Sequence, residues 1–183
     1  MQKNSRMNPQ KIQIKLFAQK NLDASLESYI PIFHRYIRED VLDEMMMDVA
    51  DYTHVPRGIG VLLVGHSADI AIDQGEGRPG LQFSRKREVP HDAPVIKDAL
   101  SRVLDLAERL NGDQEVAGPT AFTHDELLIR FPDRLHVQND DAGFNLVKSE
   151  LENALSELAG GGYSLKREGE PREPLTIRAI KTA

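Results

Sequence analysis

The chain has 183 residues, 40% hydrophobic and 28% charged, a balance that builds an ordinary core without disulfide or metal staples. With 0 cysteines it has no disulfide, thiol nucleophile or thiolate metal site, which suits a reducing, cytoplasmic setting. Lys+Arg number 23 against 29 Asp+Glu, so the net charge of −6 has the wrong sign for wrapping a nucleic-acid backbone, and Met1 to Lys15 carry neither a signal-peptide core nor a membrane span.

Residues 1–10 show no periodic apolar pattern and are expected to form a loose tail ahead of one α+β domain over residues 11–183. Ile12, Ile14 and Leu16 then alternate with Gln13, Lys15 and Phe17, the period of a strand with one buried face. Tyr29, Ile30, Phe33 and Ile37 recur at three and four, with Ser28 as a cap and Pro31 in the first turn, and predict a helix from Ser28 to Asp40. Met45 to Tyr52 and Ile59 to Val64 read as strands around a Pro56-Arg57-Gly58 turn, with Met45 and Met47 on one face of a central strand and Met46 on the other. Ala68 to Asp73 continues the alternation past Gly65 through a bulge, and the Gly75 to Gly80 loop leads into a returning strand at Leu81–Arg87.

Ile96, Leu100, Val103, Ala107 and Leu110 make the stripe of a second helix from Pro94 to Asn111, stopped at Gly112. A polar connection at Asp113 to Thr120 precedes a strand marked by Leu127, Ile129 and Phe131, and Leu135 with Val137 reads as a return or edge segment. The clearest helical stripe is Phe144, Val147, Leu151, Ala154, Leu155 and Leu158, capped among Asn139 to Asp141 and ended by Gly160-Gly161-Gly162. Tyr163–Arg167 and Leu175–Ile180 are the last strands. The expected architecture is therefore α+β: a mostly antiparallel sheet with three helices packed on it, in which two β-α-β-β units can be discerned.

Val61-Leu62-Leu63-Val64-Gly65-His66-Ser67-Ala68-Asp69 resembles the nucleophile elbow of the α/β-hydrolase family, an apolar strand followed by G-x-S-x-G. Asp69 stands where that motif needs a glycine, and the alternation after Ser67 predicts a strand where it needs a helix. If Ser67 were a nucleophile, His124 or His136 would serve as base and Asp125 or Asp133 as acid. The other constellation is His54, His66, Asp51 and Asp69, with Asp48 and Asp73 nearby, whose imidazoles and carboxylates suit zinc, iron or manganese if antiparallel pairing brings them together. No paired ligand spacing such as H-x-x-x-H supports it. The plainer reading puts Asp48, Asp51, Asp69 and Asp73 on a solvated strand face and His54 and His66 at strand ends. His34, at the edge of the first helical stripe, is read as a histidine bonded to backbone. Arg85-Lys86-Arg87 is read as a solvated strand end.

Ile30-Pro31-Ile32-Phe33-His34-Arg35, Asp48-Val49-Ala50-Asp51-Tyr52, His54-Val55-Pro56 and Gly65-His66 together resemble a bacterial protein family that is uncharacterised, and the resemblance implies no activity. The sequence thus points to a non-catalytic module that associates with itself, most simply as a homodimer, or with a protein partner. It predicts no cofactor, nucleic acid or membrane. The alternative is a small metal-dependent enzyme or hydrolase using catalytic Ser67, His66, His54, Asp51 and Asp69, four of which (His54, His66, Asp51 and Asp69) would also be the metal ligands.

Overall fold

A computed structural model describes residues 9–19, 25–87, 94–116 and 122–182. The connection expected around Gly118-Pro119 lies outside them, as does most of the expected tail; Gln10, within that tail, is buried. The described elements are β1 (Ile12–Ala18), α1 (Tyr29–Glu39), β2 (Met46–Asp51), β3 (Ile59–Gly65), β4 (Ala68–Asp73), β5 (Gly80–Arg85), α2 (Val95–Asn111), β6 (Phe122–Phe131), α3 (Asp141–Leu158), β7 (Tyr163–Glu168) and β8 (Leu175–Lys181). The fold is α+β, and its eight strands form one sheet in the order β2-β3-β4-β5-β1-β6-β8-β7, antiparallel at every pairing.

Alternation sets the two faces of this sheet. Ile12, Ile14 and Leu16 face Leu81, Phe83, Leu127 and Ile129, and all are buried in a cluster that also takes in the apolar stripes of the three helices. In α1 the buried stripe is Tyr29, Ile32, Phe33 and Tyr36, rotated slightly from the spacing that the sequence suggested, while Ile30 and Ile37 are half-buried. The Ser28 hydroxyl donates to the Ser25 carbonyl and caps nothing. Asp40 ends the helix in a left-handed conformation, φ 48°. In α3 the Asp140 carboxylate caps the Gly143 amide, whereas the Asn139 side chain ties the helix start to the carbonyls of Glu168, the last residue of β7, and Glu170.

Four local expectations change. The chain does not bulge past Gly65 but turns back, with Leu63 opposite Ile70 and His66-Ser67 at a hairpin tip. A side chain at Gly65 would put its Cβ 2.1 Å from the Ala68 carbonyl oxygen, which is why the turn takes glycine there. β2 is an edge strand rather than a central one, so Met45 and Met47 are 68% and 52% exposed while Met46 packs toward Gly65. Leu135 and Val137 form no strand: the His136 and Val137 amides donate to the Asp133 carbonyl in a tight turn, with Leu135 exposed and Val137 buried. Arg85 is not solvated but buried against Asp98 at the start of α2.

The face opposite the helices holds a buried lysine. Lys15 Nζ donates to Asp73 Oδ2 at 2.5 Å, to the Gly75 carbonyl at 2.7 Å and to the Arg78 carbonyl at 2.9 Å, which uses all three ammonium protons and fastens the β4–β5 loop over the sheet. Gly80 permits this crossing, because a Cβ there would lie 2.7 Å from Lys15 Cε. Lys15→Ala would leave the Asp73 carboxylate buried beside empty space, and we expect a loss of about 3–5 kcal/mol in urea unfolding. The double variant Lys15→Met/Asp73→Asn, which buries no lone charge, should recover most of it.

Candidate functional site

The helix-free face around Lys15 is a charge network built by strand register. Phe17 lies under the Arg78 guanidinium, 4.2 Å from its ring centroid, with Arg178 at 5.6 Å. Glu126 accepts from Arg78 at 2.6 Å and from Arg178, Arg178 also donates to Glu168 at 2.8 Å, and Arg130 donates to Glu76. Burial pulls the Lys15 ammonium below its usual range, against the opposing pull of Asp73. The bond from Arg130 holds the Glu76 carboxyl below the usual carboxylate range, and the two arginines do the same for Glu126 against its partial burial. Four cations and four carboxylates, Asp73 included, answer one another here. The network leaves Phe17, Ala71 and Leu128 buried although no helix covers them.

Sequence spacing did not reveal this network, because its members come from β1, the end of β4 and the loop after it, β6, β7 and β8. One signal was present: Lys15 shares its face of β1 with Phe17, a large apolar residue on the side opposite Ile12, Ile14 and Leu16, so that side is not a plain solvated face. Asp73, expected on a solvated face, is 8% exposed.

The residues singled out for catalysis or metal binding fall in two places. Asp51 ends β2 and His54 lies in the β2–β3 turn, where the Thr53 hydroxyl and amide hold the Asp51 carboxyl below its usual range. His66 and Ser67 occupy the β3–β4 tip at the other end of β3, a strand of seven residues spanning roughly 20 Å. Asp69 stays near that tip, accepting from the Gly65 amide at 3.1 Å and Lys86 Nζ at 2.7 Å. Antiparallel pairing therefore separates His54 from His66 instead of joining them. Among the described residues, no group of three or more His, Asp or Glu side chains is placed to hold a metal ion.

Ser67 is followed by a strand, not a helix. Its amide donates to Glu44 Oε1 at 2.8 Å, and its carbonyl accepts from the Lys86 and Arg87 amides. Those basic residues are occupied separately, since Arg87 Nε donates to the His66 carbonyl. His136 pairs with Asp133 at 2.6 Å, and His124 Nε2 is 3.1 Å from Lys181 Nζ; both histidines belong to β6 or its following turn, with β5 and β1 between β6 and β4. His34 is exposed on α1.

A cavity of about 500 Å³ opens between the ends of α1 and α2, lined by Arg35, Tyr36, Arg109, Asp113, Gln114 and Glu115. Three of its polar groups meet: Arg35 pairs with Asp113 at 2.5 Å, and the Tyr36 hydroxyl donates to the same carboxylate at 3.2 Å. Burial, then the Asp113 charge, pushes the Tyr36 hydroxyl up to about 12. Burial does the same to Tyr163, whose hydroxyl donates to the His124 carbonyl.

The exposed apolar surface is concentrated elsewhere. Among the described residues, Met45, Met47, Tyr52, Val55 and Ile59 are five of the eight large hydrophobic side chains that stand exposed, and all five belong to β2, β3 or the segments beside them. Ala50, Leu62 and Val64 are half-buried on the adjoining helix-free face. No family model and no curated protein matches the chain. No described helix is long and apolar enough to cross a membrane.

Two measurements test this geometry. His54→Ala and His66→Ala should each change stability by no more than about 0.5 kcal/mol, and their effects should add, since side chains this far apart share no partner. A coupling well above that in the double variant would mean that the two histidines act together. In alkaline titration followed by tyrosinate absorbance, ionisations near pH 12 should vanish one at a time in Tyr36→Phe and Tyr163→Phe. Because both hydroxyls titrate above the ordinary phenol value of 10.0, they stabilise the fold fully below pH 10, and that contribution is lost as the pH rises from 10 through 12.

Proposed function

We propose that the protein is a non-catalytic cytoplasmic module that pairs with a second copy of itself through the β2–β3 hairpin. The observation that carries this reading is that Met45, Met47, Tyr52, Val55 and Ile59 stand exposed along the length of the edge hairpin, the two methionines near its β3–β4 end and the other three near the β2–β3 turn. Exposed apolar side chains gathered on one element mark interaction sites, and methionine and tyrosine are among the residue types enriched in them. In a twofold dimer the same surface serves both copies, so this one hairpin would supply both halves of the contact. The rest of the molecule favours the same edge: the centre of the helix-free face is already covered by its own ion pairs, and in the cavity between α1 and α2 both Arg35 and Tyr36 are already bonded to Asp113. A metal site drawn from both histidines would need His54 and His66 to converge, and the seven residues of β3 lie between them.

Light scattering coupled to size exclusion tests the proposal on the full chain. The wild type should elute at twice the 20.5 kDa chain mass, and Met47→Glu combined with Tyr52→Ser should return it to one chain without lowering its urea midpoint. A wild type that stays monomeric across a wide concentration range sinks this reading.

A further inference from the structure

We infer that the Asp48 carboxylate closes the β2 edge against the β7 edge of another copy, so that the sheet cannot grow end to end. The need for such a closure follows from topology. Eight strands alternate in direction across the sheet, so its two edges, β2 and β7, run opposite ways. A copy displaced sideways would therefore bring its β7 antiparallel to β2, in the arrangement of a continuing ladder. Charge would also draw the two edges together: β2 ends in Asp51, and β7 carries Lys166 and Arg167, its Glu168 being paired with Arg178. Arg167 is engaged with Asn139 and Asp141, whereas Lys166 is exposed. A head-to-tail contact of this kind does not close on itself and leads to filaments.

Backbone geometry shows where the closure acts. The Tyr52 amide donates to the Gly60 carbonyl across the β2–β3 pair, so in alternation Ala50 and Asp48 also direct their amides to β3, and the Val49 and Asp51 amides point out of the sheet. The Val49 amide does not wait for a strand: it donates to Asp48 Oδ1 at 2.8 Å. One residue earlier the register shifts between Met46 and Asp48, leaving Met47 as an extra residue that breaks the ladder an incoming strand would follow. The outward donor at the middle of the edge is thus satisfied by a charged acceptor of its own strand. A new strand would have to break that bond and bury the carboxylate. This closure is independent of the docking proposed for the apolar side chains of the hairpin, and it leaves that docking as a side-chain contact.

The test uses the full chain and three variants. Asp48→Ala removes both the acceptor and the charge; Asp48→Asn keeps an acceptor oxygen and removes the charge; Asp48→Ala/Lys166→Glu also reverses the charge on the far edge. In dilute solution, the Val49 amide should exchange with deuterium about tenfold or more faster in Asp48→Ala than in the wild type, and near the wild-type rate in Asp48→Asn. As concentration rises, light scattering should show Asp48→Ala growing into open-ended assemblies, Asp48→Asn keeping the wild-type mass, and Lys166→Glu reversing the growth. Unchanged Val49 exchange in Asp48→Ala, or a wild-type mass for it at every concentration, overturns the inference. Growth of Asp48→Asn equal to that of Asp48→Ala overturns it too, because charge alone would then be at work, and growth that survives Lys166→Glu removes β7 as the partner. A monomeric wild type would sink the docking reading and leave the Val49 comparison intact.

Discussion

A sheet with helices on one side has to finish its other side, and here an ammonium group does so from within the first strand. Lys15 lies among residues that alternate into the core, yet its own side chain points away from the helices and crosses to the β4–β5 loop, where Asp73, Gly75 and Arg78 take its three protons. A charge this buried is tolerated only when every proton has an acceptor and a carboxylate balances it. With the loop pinned, Glu76 and Arg78 are delivered over the sheet, where Arg130, Glu126 and Phe17 receive them. Loss of the lysine would therefore release the roof of the helix-free face as well as one ion pair.

That face ends up electrically self-contained, and this shapes where the molecule can meet another. Each carboxylate of the network already has a cation, so a charged partner would gain little by competing for it. The β2–β3 edge lacks any such cover. It is the far end of the sheet from α3, it carries exposed methionines and Tyr52, and its outward backbone is partly closed by Asp48. Exposed side chains with a closed backbone describe a surface that can dock without extending the sheet.

Much of the fold was legible in the sequence because most of its elements are decided locally. The stripes of α2 and α3, the alternation of β1, β4, β6 and β8, and the stop at Gly112 all follow from which side chains recur at which period. Gly65-His66-Ser67 was harder: a glycine between two alternating runs fits a bulge or a turn equally well, and only the pairing of Leu63 with Ile70 shows that the chain reverses there. The methionine triplet was misplaced for a related reason. Whether a strand is central or at an edge depends on which strands flank it, and nothing within Met45 to Asp51 encodes that.

The sequence by itself determined the α+β class, the strand and helix segments, the want of thiol chemistry, and the departure of the Ser67 segment from a nucleophile elbow, since each rests on residue type and short-range period. Tertiary structure decided which charges meet. Lys15 and Asp73 are 58 residues apart, and Arg78 and Glu126 are 48 apart, so their pairing depends on strand order; His54 and His66, only a hairpin arm apart in sequence, are held at opposite ends by the stiffness of that arm. Electrostatic partners follow distance in space, and in an antiparallel sheet that distance is set by register and strand order rather than by separation along the chain.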